Sequence, residues 1–180
     1  MLTLADVKLQ RRIDEDDTTE DALLQRFIDA AYRHAEAHTQ TAIRPRSKTV
    51  VIDGFPPVDR AIDLPWYPVQ SIDALEFITP SGDSHPLDET ALRLDTRDDP
   101  HRLYPRWGDR WPATIAEPES VTITATVGYE KTPEDIELAL LLLIGHWYEN
   151  RESVVIGTIT AEVPMGVEML LFDYCRHAVG

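Results

Sequence analysis

The chain has 180 residues, 43% of them hydrophobic, and a formal net charge of −15 at pH 7. That length and apolar content suffice for one domain with a real core, or one domain carrying an insertion, and fall short of two full domains. The acidic balance argues against a duplex-binding surface, which needs clustered Lys and Arg, and the single cysteine, Cys175, excludes an intrachain disulfide and a CxxC zinc pattern.

The first ten residues, MLTLADVKLQ, lack the basic start, apolar centre and cleavage site of a signal peptide, so a product of the reducing cytoplasm is expected. Thr3 suits the N-cap of a short helix, with Asp6 in place of the usual Glu of a capping box. The acidic run Asp14-Glu15-Asp16-Asp17 lacks the glycine and spacing of a calcium loop and reads as a solvated linker.

Leu23, Leu24, Phe27, Ile28, Ala31 and Ala35 recur at helical spacing and predict an amphipathic helix over residues 19–40. His34 and His38 fall four apart on one face of it, which is ligand spacing, but Ala35 stands where a zinc-protease signature needs Glu. Two ordinary helix histidines are the simpler reading. A soluble metal-dependent enzyme using His34, His38 and nearby carboxylates is the alternative function.

From Ser47 the chain turns to short β-rich runs broken by Pro and Gly, with strands expected at residues 49–53, 61–64, 72–79 and 121–127. In the last of these Thr122, Thr124 and Thr126 alternate with Ile123, Ala125 and Val127, as in a strand with one wet face. Between them Tyr104, Trp107 and Trp111 interleave with Arg102, Arg106 and Arg110. Such interleaving fits single-stranded nucleic acid, or a cation–π cluster sealing a small β domain; the acidic balance favours the cluster.

Residues 132–152, TPEDIELALLLLIGHWYENRE, form the most apolar and best bounded stretch. Thr132 as N-cap, Pro133 in the first turn and Glu134 and Asp135 at the positive dipole end predict a helix start. Residues 138–144 are apolar throughout, so this helix is covered on several sides, by its own chain or by another subunit. Flanked by Glu137 and His146, the run falls short of the roughly 20 apolar residues of a membrane span. Residues 153–164, with Gly157, read as a loop or extended arm, and residues 167–176 as a final apolar helix in which Cys175 packs. Nucleophile-elbow, phosphate-loop, dinucleotide and HExxH motifs are absent from the sequence.

The order LTLADVK, EDALLQRFIDAAYRHAEAHT, IDLPWYPVQSIDALEF, VTITATVGY, PEDIELALLLLIGHWYENRE and VPMGVEMLLFDYCR resembles the head-tail connector (adaptor) proteins of long-tailed bacteriophages and prophages. Its most specific part is the helix ending in His146-Trp147-Tyr148-Glu149-Asn150-Arg151-Glu152. One departure is Gln40-Thr41, where relatives often close the second helix with Gly-Arg. The resemblance implies an α+β fold: a helical bundle built from both chain ends (residues 1–46 and 129–180) with an inserted β-rich region (47–128). It implies no catalysis and no cofactor. It implies a ring of about twelve subunits in the particle and leaves room for a free subunit that is monomeric; independently of the resemblance, one heterologous contact repeated by rotation closes such a ring when the angle allows. Portal protein would lie on one side and a neck or tail-completion protein on the other, with DNA passing through without specific binding. The chain would act in the host cytoplasm during assembly and then in the virion neck, without a membrane. Candidate subunit or portal contacts are Trp147, Tyr148, Arg151, Val155, Ile156, Ile159 and Val163, from the end of the apolar helix and the arm that follows.

Overall fold

The computed structural model describes residues 1–57, 60–150 and 164–176. The fold is α+β, with α-helices and two antiparallel sheets, and divides into two compact units: Met1–Arg44 with Lys131–Gly180, and Pro45–Glu130.

In the first unit, α1 (Leu4–Arg11) opens on a full capping box. The Thr3 hydroxyl accepts from the Asp6 backbone N–H at 3.2 Å, and the Asp6 carboxylate accepts from the Thr3 N–H at 2.7 Å, so orphan donors of the first turn are satisfied reciprocally. The linker that follows is exposed over Asp14 to Thr19. α2 (Asp21–Thr39) is slightly shorter than its periodicity suggests, starts without a side-chain cap and ends at Gln40, a non-glycine residue in the left-handed region with φ 55°. It buries Leu24, Phe27, Ile28, Ala31, Tyr32 and Ala35, a stripe at 3.6-residue spacing.

α3 (Glu134–Glu149) begins after the expected cap: Pro133 holds the N-cap position and Thr132 is buried instead, because the chain entering the helix is already packed there. Its first backbone bond runs from the Glu137 N–H to the Pro133 carbonyl. Ile136, Ala139, Leu140, Leu143, Ile144 and Trp147 are buried, whereas Leu138 and Leu142 are about half exposed, so the apolar run is covered on most of its faces but not on all. α4 (Met165–Phe172) is displaced toward the N-terminus from the expected 167–176 and buries Val167 and Leu171. Beyond it the Arg176 N–H donates to the Thr39 carbonyl at 2.9 Å, and the Thr41 hydroxyl to the Tyr174 carbonyl at 3.1 Å. These bonds tie the end of the described chain to the end of α2. α2 packs on α1, α3 and α4.

In the second unit, the larger sheet has the order β1-β7-β3-β4, formed by β1 (Arg46–Ile52), β3 (Val69–Ile78), β4 (Ser84–Pro86) and β7 (Val121–Val127). β7 runs centrally, antiparallel to β1 and β3. Its Val121, Ile123, Ala125 and Val127 are fully buried, and Thr122, Thr124 and Thr126 take the other face. There the Thr124 and Thr49 hydroxyls meet across the β1 pairing at 3.1 Å. The smaller sheet, of order β2-β6-β5, comprises β2 (Ile62–Asp63), β5 (Leu92–Asp95) and β6 (Arg102–Pro105). Its β2–β6 pairing sets Arg102 opposite Asp63, with guanidinium and carboxylate 3.0 Å apart.

Candidate subunit interface

Of the candidate contact residues, Trp147 and Tyr148 lie at the end of α3; Arg151, Val155, Ile156, Ile159 and Val163 lie outside the described residues. Trp147 is 4% exposed and tilts against Phe27 of α2 with centroids 6.3 Å apart, and the His34 ring meets it edge-on at 6.3 Å. It belongs to its own chain's core. Tyr148 is half-buried. Its hydroxyl donates to the Glu20 carboxylate, and the Arg11 guanidinium lies 5.0 Å from its ring centroid.

Arg11 reaches this position because Gly145 has no side chain: a Cβ there would stand 3.2 Å from an Arg11 Nη. The same guanidinium forms an ion pair with Glu149 at 2.7 Å. The last turn of α3 is therefore held by α1 through a cation, an aromatic face and a carboxylate. A positive charge at the carboxyl end of a helix also suits the helix dipole.

α4 contributes a surface that the sequence reading missed. Met165, Met169 and Phe172 are all strongly exposed, while Val167 and Leu171 point inward. The outward residues fall at i, i+4 and i+7, one helical face, and the signal in the sequence was Glu168, the charged residue of this helix, at i+3 on that face. With the exposed Leu138 and Leu142 of α3 this leaves apolar area unpaired on two neighbouring helices of the unit. Exposed apolar area of this kind marks interaction surfaces.

His34 and His38 stack with their rings nearly parallel, centroids 6.5 Å apart. Burial holds the His34 imidazole below its ordinary pKa, with His38 adding to the shift and Glu168 opposing it. Among the described residues no three His, Cys, Asp or Glu side chains come together as a metal site, and the metal-enzyme alternative finds no support. Cys175 packs with its thiol toward the Leu171 carbonyl, 3.4 Å away.

In the β unit the cation–π arrangement exists, but its cation is Arg93 rather than Arg102, Arg106 or Arg110. Its guanidinium carbon lies 4.3 Å from the Tyr104 centroid and 4.9 Å from that of Trp107. Arg93 faces Tyr104 across the β5–β6 pairing, a partnership that sequence proximity does not show. Trp111 instead stacks flat on Phe55 at 4.7 Å and donates its indole N–H to the Arg60 carbonyl.

A family model of phage gp6-like head-tail connector proteins matches residues 1–75. No curated protein matches the chain. Among solved structures, the fold is similar to a chain from the virion of a native gene transfer agent particle (25% identity, TM-score 0.73, covering 99% of this chain and 92% of that one). A chain from the neck of an empty particle of this kind, computed with C6 symmetry, aligns with 24% identity and TM-score 0.74 over 99% of this chain and 92% of the other. A third, from the neck of the native particle computed with C12 symmetry, aligns with 23% identity and TM-score 0.69 over 97% and 91%. The chain thus shares its N-terminal sequence pattern with head-tail connector proteins and nearly its whole fold with chains of gene transfer agent particles, which bears out the resemblance read from its sequence.

Proposed function

We propose that the chain is a structural connector subunit that forms a ring between the DNA-filled head and the tail of a phage-like particle. The observation that carries this reading is the fold shared with a virion chain across 99% of this chain, joined to the connector-family match in the same N-terminal residues. The C6 and C12 symmetry of the neck structures supports a cyclic ring. The proposed architecture is a helical bundle from residues 1–46 and 129–180, with residues 47–128 as its β-rich insert. One face of the ring meets portal protein and the other a neck or tail-completion protein, after assembly in the host cytoplasm.

Within the helical unit, the proposed contact surface combines the outward face of α4 with Leu138, Leu142 and Tyr148, and with Arg151, Val155, Ile156, Ile159 and Val163 of the segment that follows α3. Two unlike surfaces on one chain suit the heterologous contact that closes a ring. The net charge of −15 repels passing DNA rather than gripping it. Deletion of the gene from a producing strain tests the role: DNA-filled heads without tails are expected, restored by expression in trans. Complete tailed particles in the deletion strain would refute it.

A further inference from the structure

We propose that the turn at residues 106–110 is a docking element that carries Trp107 into an acidic surface on a second copy of this chain; the proposal rests on the ring assembly proposed above. Trp107 is 82% exposed, more than any other large apolar side chain among the described residues. Its presentation is built rather than incidental. The turn springs from the end of β6, where the Arg106 N–H donates to the Ala91 carbonyl at 2.8 Å. It closes through the Asp109 N–H to the Arg106 carbonyl at 3.0 Å, with Gly108 at φ +88°, a conformation that favours glycine. On its far side the chain is fixed by the buried Trp111, stacked on Phe55. Arg93, shared between Tyr104 and Trp107, holds the indole from one side and leaves the rest to solvent.

The turn is locally basic in an acidic chain. Arg106 and Arg110 flank Trp107, both exposed, and neither makes an ion pair among the described residues. Tryptophan and arginine are, with tyrosine, the side chains enriched at interface hot spots. Two guanidiniums beside an indole call for a partner that offers carboxylates around an apolar seat. A chain of net charge −15 supplies carboxylates over its own surface, so the basic turn of one copy complements the acidic remainder of the next, and the contact is heterologous, as a ring requires. Nucleic acid fits less well: two cations with Asp109 between them neutralise too few phosphates to hold a strand against that overall charge.

Sedimentation of the full chain over a concentration series tests the proposal, at low and at high salt, alongside Trp107→Ala and the double variant Arg106→Glu, Arg110→Glu. The chain is expected to self-associate as its concentration rises, and the two salt conditions separate the local contact from the mutual repulsion of copies that each carry −15. Each variant is expected to raise the dissociation constant about tenfold or more with an unchanged melting temperature. A chain carrying Arg106→Lys and Arg110→Lys, treated with a carbodiimide that joins amines to touching carboxylates, is expected to give cross-links from the turn to Asp or Glu of another copy. Sedimentation as a monomer at every concentration, association indifferent to the variants, or retention of a single-stranded oligonucleotide that the variants abolish would each overturn it. Such a failure leaves the connector role untouched, because that role is read from the presence or absence of tails.

Discussion

Phe27 of α2 and Trp147 of α3 meet with ring centroids 6.3 Å apart, both side chains buried, so that residues from opposite ends of the chain share one core. Trp147→Ala or Phe27→Ala is expected to destabilise the protein by about 3–5 kcal/mol, the range for removing a large aromatic from a packed interior. Chemical denaturation measures it as a lowered midpoint with an unchanged slope. A loss below about 1 kcal/mol would mean that the two helices do not depend on each other.

The α1 capping box gives a smaller and local effect. Thr3→Ala removes the hydroxyl that accepts from the Asp6 N–H and is expected to cost about 1 kcal/mol. Hydrogen exchange should show faster exchange in α1, with β7 unchanged. Equal loss of protection in β7 would contradict a local cap.

Gln40 closes α2 in the left-handed region at φ 55°, where a side chain costs about 1 kcal/mol that glycine does not incur. Its amide also donates to the Ala37 carbonyl at 2.7 Å, an exposed bond that offsets only part of that strain. Gln40→Gly is therefore expected to stabilise the protein by about 0.5 kcal/mol. A lowered melting temperature would show that the amide bond outweighs the backbone strain.

His34 introduces a pH dependence. Burial lowers its folded pKa below the unfolded value of 6.5, so the stability it contributes is complete above that pH and falls as the pH drops through the folded pKa. Melting temperature followed from neutral to mildly acid pH should decline less in His34→Gln than in the parent chain. Parallel curves for the two proteins would contradict the assignment.

Features set by neighbouring residues were legible before the fold was known. The Thr3–Asp6 capping box and the alternation of β7 from Val121 to Val127 are of this kind, because one turn or one strand contains the whole pattern. The short strands β4, β5 and β6 were not: Leu92-Arg93-Leu94-Asp95 becomes a strand through pairing with β6, a tertiary event that overrides weak local preference. For the same reason the cation over Tyr104 is Arg93, its partner across the sheet, and not its sequence neighbours Arg102, Arg106 or Arg110. Trp147, read as a contact residue from its place at the helix end, is buried because helix phase turns it toward Phe27. The Met165, Met169 and Phe172 face of α4 was hidden because its own residues are apolar: Glu168 alone marks that side as outward, too little for periodicity to separate it from the inward one.

The central claim is tested most directly by electron cryomicroscopy of particles purified from a strain that produces this chain. The account predicts density that fits the helical unit and the β unit, repeated by cyclic symmetry in a ring between portal and tail. Intact tailed particles whose necks contain no density for this chain would contradict it.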